Sequence, residues 1–168
     1  MLAYLWRFLH LLFAFSFVGA TTLAEWNTRA ARATSDWNRR AALWGVVRLT
    51  TRVLGLGALV LLGILGNLLA VTLRLPMGGT WMRAVNGLWL ATVLVYLLVA
   101  LPAAGRLVAI SEAATGTTGA PGPSGTKPAA DPARDYASAL GRWRLAAVAL
   151  GIFYLVLLAL MVLRPLVR

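Results

Sequence analysis

A chain of 168 residues that is 60% hydrophobic, with a mean hydropathy of +0.78, carries more apolar surface than a soluble globular domain, whose apolar share is about 45–50%. Its formal charge of +11, from 16 Lys and Arg against 5 Asp and Glu, would suggest nucleic acid in a soluble protein. Here the basic residues sit between or at the ends of apolar runs, where they anchor spans against anionic headgroups, so the lipid bilayer is the expected partner and nucleic acid is not. Cysteine is absent, which excludes disulfides, thiolate metal sites, iron–sulfur clusters and c-type haem attachment.

A hydrocarbon core about 30 Å thick needs about 20 mostly apolar residues at 1.5 Å each. Four stretches have that length: Leu2–Ala24, Val53–Leu73, Trp81–Leu101 and Leu145–Leu163. Backbone polar groups find no water in hydrocarbon, so each must be helical. The prediction is one all-α membrane domain over residues 1–168, a four-transmembrane-helix bundle. The first stretch has a rival reading as a cleavable signal peptide ending near Thr22-Leu23-Ala24. Arg7, which follows six mainly apolar residues instead of opening a charged leader, favours a retained span.

Between the first two spans, Trp26, Trp37 and Trp44 alternate with six arginines from Arg29 to Arg52, a membrane-surface composition in which Ser35 or Asp36 can cap a helix leading into the second span. A lipid-sensing basic helix is the functional alternative to a solvated anchor. Pro76 and Gly78-Gly79 predict a short turn, with Thr80 as the cap of the next helix. Pro102 either kinks the third helix or marks its exit from the membrane. Thr115–Asp135 is rich in Gly, Pro, Ser and Thr, and reads as a flexible linker. Eleven of the Lys and Arg residues lie in the two longer connections and five at the termini and short turn. This bias places both termini outside and the long connections in the cytoplasm.

The acidic residues Glu25, Asp36, Glu112, Asp131 and Asp135 all fall in connections or at span ends, so no carboxylate is placed for a proton relay or hard-cation site in the bilayer. The lone histidine, His10, lies inside the first span and is the main candidate for chemistry. Counting inward from Arg7, Arg83 and Arg164, a step of three residues is about 4.5 Å and brings His10, Asn86 and Met161 to one level. Asn67, seven residues before Arg74, lies about two turns deep. The polar layer His10, Asn67 and Asn86 can form a pocket with Met161, and imidazole with thioether suits haem iron or Cu(I). The bland alternatives are a histidine that only bonds a neighbour, asparagines that glue helices and a methionine that fills space.

Small residues predict close packing: Gly55, Gly57, Gly63 and Gly66 stud the second span, and the pairs Gly66 with Ala70 and Ser16 with Ala20 have small-xxx-small spacing. No phosphate-binding loop follows Gly55, and the only His lies far from every Asp, so neither a nucleotide site nor a Ser/His/Asp set can be assembled.

Phe8-Leu9-His10 opening an aromatic and aliphatic helix, Val18-Gly19 further on, a basic loop, a glycine-rich second span and Pro102 after the third together resemble a bacterial family of predicted integral membrane proteins of unknown function. More distantly the pattern is similar to the CopD-type copper-resistance domain and the HemJ-type protoporphyrinogen oxidases, whose first helix carries a histidine. The likeness covers residues 1–114 and implies a plasma-membrane location, with His10 matching that histidine. The reading that follows is a non-enzymatic accessory protein, homo-oligomer or complex subunit with no cofactor. The alternatives are a haem b- or copper-handling protein using His10 and Met161, or an oligomeric transporter.

Overall fold

A computed structural model describes residues 1–117 and 132–162. The described residues are helical throughout except for short turns: α1 Leu2–Ala33, α2 Trp37–Leu49, α3 Gly57–Thr72, α4 Thr80–Val95, α5 Leu101–Thr117 and α6 Pro132–Val162. A π-helical segment, Thr50–Leu56, joins α2 to α3 without a break, and a second, Tyr96–Ala100, joins α4 to α5. The result is four helices long and apolar enough to cross a membrane, an all-α four-helix bundle with the character of an integral membrane protein.

The helices are longer than the predicted spans. The stretch from Glu25 to Arg52, expected as an interfacial connection, is helical apart from Thr34–Asp36. No Gly or Pro interrupts Glu25–Ala33, and Asp36 caps α2 by accepting from the Asn38 N–H at 2.9 Å, which satisfies an otherwise orphaned donor. Likewise α5 continues to Thr117 and α6 starts at Pro132, so the expected linker Thr115–Asp135 shrinks at both ends. Its centre, 118–131, with Ser124, Lys127 and Asp131, lies outside the described residues, as do Leu163, Arg164 and Arg168. Glu25, Glu112 and Asp135 therefore stand on helix extensions and not in loops. At 32 residues α1 is about 48 Å long, well beyond the about 30 Å of hydrocarbon, so the extra turns project at the arginine-rich end.

Those projecting turns hold the tightest core. Ala31, Trp44, Val47, Ala104, Leu107 and Ser111 are fully buried there. Trp44 was expected to anchor in headgroups; instead its indole donates to the Tyr136 hydroxyl at 3.1 Å and packs edge-on against Trp143. Trp37 meets Tyr136 edge-on, and the Arg40 guanidinium lies 4.2 Å from the Trp37 ring centre. Only Trp26 of the three remains exposed. Past the headgroups the helices meet water, which drives apolar rings inward, whereas within lipid it does not. Arg40 also donates to the carbonyls of Ala31 and Thr34, closing the C-terminus of α1.

Pro102 neither ends nor interrupts its helix. A proline removes one helical N–H and crowds the carbonyl four residues earlier, here Leu98, and the wider π turn at Tyr96–Ala100 accommodates it. At the opposite end, the chain leaves α3 through Arg74 in the left-handed region (φ 53°), with the Leu75 N–H bonded to the Ala70 carbonyl at 3.0 Å. Gly79, not Thr80, occupies the cap position of α4 and makes no side-chain cap; the Arg83 N–H bonded to the Gly79 carbonyl starts the helix one residue earlier than expected.

The four transmembrane rods pack in chain order. α1 lies along α2 and α3, α2 against α5, and α6 against α4 and α5. α1 and α6 share no comparable seam, so the ring of helices stays open between them. α1 turns Phe17, Ala20, Ala24, Thr28 and Ala31 into the bundle. Ser16, expected to pair with Ala20, is exposed and bonds the Leu12 carbonyl of its own helix; Ala20 with Ala24 is the small-residue pair that packs.

Candidate functional site

Among the described residues, cavities open towards opposite ends of the bundle. The smaller, about 200 Å³, lies near the Arg74–Gly79 turn and is lined by His10, Asn67, Asn86 and Met161 together with Trp81 and Met82. The four side chains singled out in the sequence thus share one cavity, drawn from α1, α3, α4 and α6.

Their polar atoms are engaged in holding helices together. The two amides form a reciprocal pair, Asn67 Nδ2 donating to Asn86 Oδ1 and Asn86 Nδ2 to Asn67 Oδ1, each at 3.1 Å. Asn67 also donates to the Gly63 carbonyl at 2.9 Å. His10 Nδ1 lies 3.1 Å from the Leu62 carbonyl. A carbonyl only accepts, so Nδ1 carries the proton and Nε2 is the nitrogen left as a potential ligand.

Glycines make these contacts sterically possible. A Cβ at Gly66 would stand 3.0 Å from His10 Cε1, one at Gly55 would stand 3.0 Å from the Tyr96 hydroxyl, and one at Gly63 would overlap the Trp89 indole. Trp89 then reaches past Gly63 to donate to the Leu59 carbonyl at 2.9 Å, and Trp81 donates to Leu160 at 2.8 Å. Of the second span's glycines, Gly55, Gly63 and Gly66 serve as seats for the rings of Tyr96, Trp89 and His10, whereas Gly57, also expected to pack closely, has nothing within 4 Å of a Cβ.

The fit of a haem or copper group is decided by space and donors. A cavity of about 200 Å³ is below the about 300–1,000 Å³ of sites for organic ligands, so the residues present do not fit haem. A copper ion is small enough, but His10 Nε2 and the Met161 thioether are its only soft or imidazole donors there apart from Met82. Among the described residues no three His, Cys, Asp or Glu side chains gather around a metal-sized space.

The larger cavity, about 560 Å³, is the open cleft between α1 and α6. Phe17, Tyr96 and Tyr154 close its deep end, with ring centroids 6.0 and 6.1 Å apart. Glu25, Trp26 and Arg29 stand at its mouth, while Thr51 and Trp143 line its wall. Glu25 and Arg29 form an exposed ion pair at 2.8 Å. The Thr51 hydroxyl and the Trp143 indole N–H are buried without a hydrogen-bond partner. Sequence reading missed this cleft. Its lining is ordinary for a span, and only the failure of α1 and α6 to close on each other creates it. The chain matches no family model, no curated protein and no solved structure.

Proposed function

We propose that this chain is a small multi-pass protein of a bacterial plasma membrane, the cell inner membrane, acting without catalysis as a homo-oligomer or an accessory subunit of a membrane complex. The observation that supports this reading is the use of the intramembrane polar groups. The Asn67–Asn86 pair, the His10 bond to Leu62, and the Trp81 and Trp89 bonds to carbonyls all join one helix to another, and among the described residues they leave no set arranged as nucleophile, base and oxyanion donors. The Lys and Arg bias supports cytoplasmic long connections with both termini outside. Gentle extraction from native membranes tests the reading: the protein is expected to migrate with further copies or a distinct membrane subunit, and a lone monomer under several mild detergents overturns it.

One observation favours a second reading, a Cu(I) site: His10 and Met161 meet at one cavity, and their donors suit that ion. Metal analysis of protein from copper-replete cells decides it. One copper per chain, lost in both His10→Ala and Met161→Leu, supports the site; copper-free protein removes it.

A further inference from the structure

The cleft between α1 and α6 is about one leaflet long and carries charge at its mouth. From Arg29 at the mouth to Phe17 at the deep end is twelve residues of one helix, about 18 Å, close to the about 15 Å of hydrocarbon in one leaflet. Its walls are aliphatic and aromatic, and its volume of about 560 Å³ falls within the about 300–1,000 Å³ of sites for small molecules. The cleft also opens sideways, because α1 and α6 share no seam comparable with those of the other neighbouring helices. A lipid can therefore enter from the bilayer without unfolding anything.

Its mouth carries both signs of charge. Glu25 and Arg29 stand one turn apart on α1, both lining the cleft. An anionic headgroup alone would meet a repelling carboxylate, and a cation alone a repelling guanidinium. A headgroup bearing a phosphate and an ammonium satisfies the two together, phosphate on Arg29 and N–H donors on Glu25.

We propose that the α1–α6 cleft is a specific site for one zwitterionic phospholipid of the phosphoethanolamine class, acyl chain between the helices and headgroup on Glu25 and Arg29. The site depends on the membrane setting alone and not on the accessory role.

Native mass spectrometry of the full chain, delipidated and then offered equimolar phosphatidylethanolamine, phosphatidylglycerol and phosphatidylcholine, tests it. One ethanolamine lipid should be retained about threefold to fivefold over each of the others, the worth of one exposed charge pair. Gly151 lines the cleft and has open space where a Cβ would go, so Gly151→Leu fills the cleft and should abolish retention without unfolding the bundle. Glu25→Gln, a surface change with little effect on folding, should remove the preference for ethanolamine over glycerol headgroups while leaving some lipid bound. Equal retention of all three lipids, a preference for phosphatidylglycerol, or a Gly151→Leu protein that retains lipid as before would each overturn the proposal.

Discussion

His10 is one imidazole holding two helices: Nδ1 bonds the Leu62 carbonyl and the ring rests on Gly66, where even a Cβ would stand at 3.0 Å. His10→Ala loses that bond and leaves the carbonyl to its own helix, so a cost of about 1–2 kcal/mol is expected in detergent unfolding. Gly63 is under a harsher constraint. A methyl there overlaps the Trp89 indole, whose N–H is fixed on Leu59, so the ring has no easy retreat. Gly63→Ala should destabilise by about 1–3 kcal/mol. Gly19, which has nothing within 4 Å of a Cβ, should accept Ala at no cost or gain about 0.5 kcal/mol from helix propensity. Equal unfolding midpoints for the two alanine variants would show that the Trp89 seat does not hold.

At the scale of helix pairs, two kinds of contact hold the bundle, and their location follows from the solvent. Inside the bilayer the α3–α4 pair is joined by the Asn67–Asn86 amide exchange. A double-mutant cycle with alanine at both positions should give a coupling of about 0.6 kcal/mol, the usual worth of a hydrogen bond between membrane helices. Beyond the bilayer α2 is held to α6 by aromatic burial. Trp44 is fully buried and Trp26 is 73% exposed. Trp44→Ala should therefore cost about 3–5 kcal/mol, while Trp26→Ala should stay within about 0.5 kcal/mol of the parent in detergent. Similar losses for both would mean that Trp44 serves as a headgroup anchor after all.

For the molecule as a whole, the decisive asymmetry is charge. The arginines of α2, α5 and the start of α6 crowd one end, and Arg7, Arg74 and Arg83 mark the other. A single cysteine introduced at Ser124 should resist an impermeant thiol reagent in intact cells and react after lysis, as a cytoplasmic connection requires. Labelling in intact cells would reverse the orientation.

The number of spans, their helical nature and the turns near Asp36 and at Pro76–Gly79 were legible in the chain because hydrocarbon leaves the backbone no alternative and because Pro76, Gly79 and Asp36 mark ends by local chemistry. Counting a fixed rise per residue inward from the arginines drew His10, Asn67, Asn86 and Met161 together, and the four line one cavity, although the count set Asn67 deeper than Asn86, to which it bonds. What could not be read was direction and closure. Trp44 looks identical in sequence whether it faces headgroups or Tyr136, and only the extension of the helices into water decided that it turns inward. A buried amide can bond another amide or a ligand, and only the packing of α4 beside α3 joined Asn67 to Asn86. The cleft between α1 and α6 depends on the absence of a seam between the first and last helices. No local pattern encodes that gap, because it is set by how the other three pairings close around the bundle.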